Sequence, residues 1–411
     1  MALNRFPSYE ELRKSSQGAE DDILNIIETP VREWDIFEIS WYPWTWKTLI
    51  SWMKFAQYNG QKIYLTYAHM LVAYTRQWLW VRGGIYVLDK RLQNHYDTSD
   101  FDDEMGIEQK RPIWIKNLED DSQWTILFID EVQDLSPNEV AQLTLKFNKV
   151  VVCWDRDQAI YKKSNAWIDF FSEYEKSLKK LEPNLERKRR IRWPYELKRN
   201  YRNTKPVFDF ARCFHPDSRR LNDVEIMKQW WEKPELWSWS TDIMYDKIIN
   251  YCVNEINSQS VVWIIVSTKT DIEDIKNKID EGLKKRLWEK YNDKLVKSYI
   301  SMWSSKNKEY QSEQCMNASV IITTIFSMKW LEADDIIMRN YWKNSWWWND
   351  STSKNRYYVW FTRSRNNLII CQYETNFWPY DVPSDLYTLK DFNPKNNVVK
   401  IEEDEYDDLP F

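Results

Sequence analysis

Ser40-Trp41-Tyr42-Pro43-Trp44-Thr45-Trp46-Lys47-Thr48 is the stretch on which the fold of this chain turns. Its spacing is that of a phosphate-binding loop, G-x-x-x-x-G-K-[ST], with Trp at 41, 44 and 46 where the common form G-x-P-G-T-G-K-T has glycine. Glycine matters there because backbone N–H groups must close around phosphate oxygens with no Cβ in the way. The flanks agree. Asp35-Ile36-Phe37-Glu38-Ile39-Ser40 predicts the strand that feeds the loop, and Leu49 to Tyr58 the helix whose N-terminus faces the phosphates. Taken literally, three indoles would fill the anion nest.

Composition bears on those letters. The chain holds 26 Trp and only 6 Gly in 411 residues. Average usage would supply roughly 29 glycines, close to the two counts taken together. Trp346-Trp347-Trp348 stands in a polar Lys-Asn-Ser…Asn-Asp-Ser stretch, where a triple glycine is an ordinary connection and three exposed indoles are an aggregation liability. We read most of the Trp letters as glycine codons translated under the wrong genetic code, UGA being the obvious candidate. The alternative is a Trp-rich chain whose phosphate loop is dead.

Hydrophobic residues at 43% and charged residues at 29% describe a soluble globular protein of two or three domains. The net charge of −5 announces no global basic field, although an acidic tail can mask a basic groove. Five Cys without a C-x-x-C pair suit a reducing compartment, and three scattered His form no zinc signature. No apolar run reaches membrane-span length and the N-terminus carries no signal-peptide core, so the expected location is cytoplasmic, with no membrane partner.

Short apolar runs alternating with amphipathic stretches predict an α/β fold with parallel sheets and crossover helices. The candidate strands are Ile36–Ser40, Lys62–Thr66, Thr125–Ile129 and Val150–Cys153, then Val261–Val266, Val320–Thr324, Ile336–Met338 and Asn367–Gln372. The expected divisions are a helical extension at 1–30, a first domain at 31–212 with an irregular insertion at 81–122, a second domain at 213–375, and a polar extension with an acidic tail at 376–411. The basic run in Glu182–Arg192 is read equally as a solvated loop or helix face and as a phosphate-backbone contact.

Thr125-Ile126-Leu127-Phe128-Ile129-Asp130-Glu131 is an apolar strand ending in two acids, the second half of a phosphate-loop ATPase. The combination of motifs beyond it is far more specific. Asp130-Glu131-Val132-Gln133-Asp134 resembles the Asp-Glu-Ala-Gln-Asp box of superfamily 1 helicases of the UvrD/Rep/PcrA kind. Trp154-Asp155-Arg156-Asp157-Gln158-Ala159-Ile160-Tyr161 resembles their Gly-Asp-x-x-Gln-x-Ile-Tyr motif, and Leu197-Lys198-Arg199-Asn200-Tyr201-Arg202-Asn203 their Leu-x-x-Asn-Tyr-Arg-Ser motif. Thr324 to Glu332, with Lys329-Trp330-Leu331-Glu332, is similar to Thr-x-x-x-x-Lys-Gly-Leu-Glu, and Tyr358-Val359-Trp360-Phe361-Thr362-Arg363-Ser364-Arg365 to Tyr-Val-Ala-x-Thr-Arg-Ala-Arg. The order is kept over residues 32–372, and Trp again stands at glycine positions.

The resemblance implies two RecA-like phosphate-loop NTPase domains with ATP and Mg²⁺ between them and single-stranded DNA, RNA not excluded, across their tops. It implies a nucleotide cradle of Trp41, Pro43, Trp44, Thr45, Trp46, Lys47 and Thr48, with Thr48 and Asp130 on Mg²⁺. Glu131 would activate water, Gln158 would sense the γ-phosphate, and Arg202 and Arg363 would act as arginine fingers. Tyr201 would stack on adenine and Glu332 would meet the ribose. Two family features are not recognisable: the adenine-side glutamine motif and the DNA-stacking aromatic after Gln158; Tyr67 is read equally as a substitute stacking face and as a packing residue at a helix start. The final Asp407-Asp408-Leu409-Pro410-Phe411 reads as a solubilising acidic tail, but it also resembles the acidic tip of bacterial single-strand-binding proteins, which implies docking onto a DNA-maintenance protein or folding back onto the chain's own basic groove. If the tryptophans are real, the expectation changes to a catalytically dead nucleic-acid- or partner-binding scaffold.

Overall fold

The computed structural model describes residues 20–40, 47–66, 72, 84–87, 111, 113, 115–116, 124–132, 135–154, 170–183, 190–192, 199–215, 217–228, 232–239, 243–266, 268–300, 314–315, 317–328, 332–339, 357–373 and 382–392. Two parallel sheets organise them, each sandwiched between helices, and together they make an α/β chain of two RecA-like domains.

The first sheet is built from β1 (Asp35–Ser40), β2 (Lys62–Thr66), β3 (Ile85–Val87), β4 (Ile126–Ile129), β5 (Lys149–Trp154) and β6 (Arg190–Arg192). These six strands lie in the order β3-β2-β4-β5-β1-β6. Every pair in it is parallel. The reason lies in the side-chain period of two. Phe37 and Ile39, Ile126 and Phe128, and Val151 and Cys153 face one core; Ile36, Leu127, Ile129, Val150 and Val152 face the other. A sheet covered on both faces needs such near-continuous apolar runs. Helices α1 (Glu20–Glu28) and α2 (Lys47–Gln57) cover the first face, while α3 (Pro137–Lys146) and α4 (Phe170–Leu181) cover the second.

A separate ribbon pairs β7 (Arg199–Thr204) with β8 (Glu225–Lys228). The strands of the second sheet are β9 (Glu235–Trp239), β10 (Val262–Val266), β11 (Val296–Tyr299), β12 (Val320–Thr324), β13 (Ala333–Arg339), β14 (Ser364–Tyr373) and β15 (Thr388–Asp391). They run β11-β12-β10-β13-β14-β9-β15, again with every pair parallel. One face packs on α6 (Ile243–Asn257) and α7 (Asp271–Leu287), the other on α5 (Lys205–Arg212) and the helical turn at 357–361.

The eight strands expected from sequence are present, with ends moved by up to three residues. Four differences matter. The segment expected as an irregular insertion supplies the edge strand β3, and its Arg111 and Ile115 are buried. Three residues are too few to show an alternating pattern. The division expected at 212 falls inside a unit that packs on the second sheet: Val207, Phe208, Phe210 and Ala211 of α5 share a core with Phe361. An amphipathic helix reveals its apolar face in sequence but not the sheet it will cover. The polar extension supplies β15, paired with β9. The end of the basic run, Arg190–Arg192, is a strand on β1 and neither a loop nor a helix face. Among the described residues, no helix is long and apolar enough to cross a membrane.

Candidate functional site

Helix α2 begins at Lys47, so Lys47 and Thr48 lie in its first turn, where unpaired backbone N–H groups and the helix dipole favour an anion. Two lysines fix this helix. Lys54 Nζ donates to the carbonyls of Ile26 (2.8 Å), Ile27 (3.2 Å) and Thr29 at the end of α1. Lys62 Nζ, from β2, donates to those of Phe55 (2.8 Å), Ala56 (3.2 Å) and Tyr58 (2.8 Å) at the end of α2 itself. Cations on last-turn carbonyls satisfy groups the helix cannot.

Strand β4 delivers Asp130 and Glu131, both buried. The Asp130 carboxylate is held on all sides. Tyr64 Oη donates to its Oδ2 (3.1 Å), the Glu131 N–H donates to its Oδ1 (3.0 Å), and the Thr48 hydroxyl bonds it with the Lys47 charge nearby. Burial and the adjacent Glu131 charge push its carboxyl up to about 7, against the pull of Thr48, Lys47 and Tyr64. Tyr64 is fixed by rings: it stacks on Phe128 at 6.0 Å, and Phe55 meets both edge-on. Glu131 has φ 56°, a left-handed backbone that a non-glycine residue adopts at a cost.

A second group lies on the other sheet. Arg202 of β7 is ion-paired through Nε with Glu332, and Arg365 Nε stands 3.9 Å from the same carboxylate. Burial alone would raise the Glu332 carboxyl, but Arg202, Arg365, Arg363 and Lys228 together hold it below the usual range. Arg363 is buried, and its Nε donates to the Val359 carbonyl (3.1 Å). Glu332, expected at a ribose, is here the counter-ion of an expected arginine finger.

The structure therefore gathers Lys47, Thr48, Asp130 and Glu131 in one domain and Arg202, Glu332 and Arg363 in the other. Positions 41–46, Gln158, Tyr67, 187–189 and the tail beyond 392 lie outside the described residues, as does the side chain of Tyr201, whose backbone is in β7. The donors fit the groups that the motifs imply. Thr48 and Asp130 offer hard oxygens in the small number that Mg²⁺ takes from protein, and Lys47 adds a cation at a helix N-terminus. Arg202 Nη1, buried and without a hydrogen-bond partner among the described residues, fits an anionic oxygen.

Sequence reading missed Tyr64, Lys54, Asn200, Asn203 and Arg365. Asn200, Asn203 and Arg365 stood inside the quoted motifs without a role of their own, and for Tyr64 the signal was a tyrosine in the middle of strand β2, since a buried phenol needs a partner.

No protein-family model matches the chain, and no curated protein does. Among solved structures it is similar to the C-terminal domain of a possible DNA helicase from Lactobacillus plantarum WCFS1, with TM-score 0.31 and 18% identity, over 46% of this chain and 98% of that one. It is also similar to a Dbp5 variant from S. cerevisiae bound to RNA and ADP BeF3, with TM-score 0.47 and 11% identity, over 94% of this chain and 96% of that one.

Proposed function

We propose that this chain is an ATP-hydrolysing translocase of the helicase kind that acts on single-stranded DNA, with ATP between its two domains. The observation that carries the reading is Asp130 at the end of β4, bonded to Thr48 and facing Lys47. Lys47 would neutralise phosphate charge, and Thr48 with Asp130 would hold Mg²⁺, which supplies charge neutralisation and phosphate orientation when bound. Glu131 would orient the attacking water and accept its proton. Arg202 and Arg363 would bring positive charge from the second domain to the phosphoryl oxygens as negative charge builds there. Alternating closure of the two domains would step the chain along a strand, and the Asp-Asp-Leu-Pro-Phe tip would dock a DNA-maintenance protein.

The test is ATPase activity of the full chain with glycine at 41, 44 and 46, with and without single-stranded DNA or RNA. Activity should rise with DNA, and Lys47→Ala should abolish it. Glu131→Gln should keep ATP binding while turnover falls on the order of 10³-fold. Stimulation by RNA alone would reassign the substrate. A chain with Trp at those three positions should bind no ATP, because indoles occupy the phosphate volume; that chain would be a binding scaffold, and tight ATP binding by it would refute the glycine reading.

A further inference from the structure

Asn203 sits one residue beyond Arg202, fully buried, and makes three side-chain hydrogen bonds. Its Nδ2 donates to the carbonyls of Thr362 (3.0 Å) and Ser364 (2.5 Å), which flank Arg363, and its Oδ1 accepts from Asn200 Nδ2 (3.2 Å). The carbonyl between them, that of Arg363 itself, accepts from the N–H of Ala333 (3.1 Å), the residue after Glu332. Three successive carbonyls are thus held, all by the immediate neighbours of Arg202 and Glu332. On the other strand, Asn200 Oδ1 accepts from the N–H groups of Arg202 (2.9 Å) and Asn203 (3.0 Å), which fixes the backbone that carries Arg202. Thr204 Oγ1 and Lys228 Nζ extend the seam to the carbonyls of Asn366 (3.3 Å) and Arg365 (3.1 Å).

We propose that Asn203, backed by Asn200, is a positioning residue that locks Arg202 and Arg363 into one rigid unit, so that both guanidinium groups arrive together. This rests on the reading that the two arginines act on the transferring phosphoryl group. Asn has the right chemistry for such a clamp. Its amide supplies two donors for two buried carbonyls and an acceptor for Asn200, and no apolar residue could satisfy them. Misplacement of a reacting group by about 1 Å can cost on the order of 10²-fold in rate.

Asn203→Ala, Asn203→Ser and Arg363→Ala, singly and combined, test it in the full chain with glycine at 41, 44 and 46. Folding is checked by circular dichroism and ATP affinity by a fluorescent analogue. Asn203→Ala should lower kcat on the order of 10²-fold with ATP affinity kept, and Asn203→Ser, which retains one donor, should lose less. In the Arg363→Ala background, Asn203→Ala should cost less than it does in the parent chain, because one of the two groups it positions is already gone. Unchanged kcat in a folded Asn203 variant, or fully additive losses, would overturn the positioning role. So would failure of both Asn203 variants to fold, which would make Asn203 a fold determinant only. If Arg363→Ala itself leaves turnover unchanged, the functional reading fails first and takes this inference with it.

Discussion

Trp288 ends α7 with φ 45° and ψ −111°, close to the angles of the first central residue of a type II′ turn, where glycine dominates. Its indole is 78% exposed, so no packing compensates the strain. Trp34, at φ 67°, is a second indole on a glycine-like backbone. Strain of this kind costs about 1–3 kcal/mol, and Trp288→Gly should stabilise the chain by about that amount in urea denaturation. Trp237 behaves oppositely. Its N–H donates to Glu235 Oε2 (2.7 Å) and its ring meets Phe392 edge-on at 5.5 Å, so Trp237→Gly should destabilise by about 3 kcal/mol or more. Peptides from the native protein should accordingly show glycine at 34 and 288 and tryptophan at 237.

Asp335 gives a pH dependence at the same scale. Burial, then the charge and hydrogen bond of Glu255, push its carboxyl up to about 8. The native chain therefore keeps a proton that the unfolded chain releases above about pH 4. Stability from this group is fully present below that value and is lost as pH rises through about 8. Asp335→Asn, which mimics the protonated acid, should flatten the fall in Tm between those limits; a parallel fall in both proteins would remove Asp335 as its source.

At the scale of elements, α3 shows how a local signal and a distant one meet in one side chain. Ser136 and Glu139 form a capping box, with the Ser136 N–H donating to Glu139 Oε2 (2.6 Å) and the Glu139 N–H to Ser136 Oγ (3.2 Å). The other Glu139 oxygen faces Arg111 at 3.3 Å, with both side chains buried. Glu139→Ala removes the cap and the carboxylate opposite a buried cation, and should cost about 3–5 kcal/mol. Ser136→Ala should cost about 1 kcal/mol. Chemical denaturation distinguishes them; equal losses would mean that the Arg111 contact contributes nothing. The box is legible as S-x-x-E, whereas the arginine, 28 residues upstream, is not.

At the scale of the molecule, two sheets with separate cores carry complementary halves of one proposed chemistry. Arg363→Ala should therefore leave the ATP-analogue shift in Tm as in the parent chain while turnover falls on the order of 10²-fold or more. Loss of the shift would place Arg363 in binding, and unchanged turnover would remove the second domain from the reaction.

The sequence by itself determined the parallel α/β class, because strands such as Ile126–Ile129 and Val262–Val266 are apolar on both faces and only doubly covered sheets bury such runs. It also determined the pair Asp130-Glu131 and the Lys47-Thr48 step, since both are local: a strand end and a helix start. Tertiary structure alone decided what was non-local. Short edge strands such as β3 and β15 hold too few residues to show a period, and α5 joins the second core through contacts that its own pattern does not name. The Arg202–Glu332 ion pair, the Tyr64 bond to Asp130 and the Asn203 clamp join residues 66 to 161 positions apart. Such partners are set by how strands are ordered and stacked, and no window along the chain contains both of them.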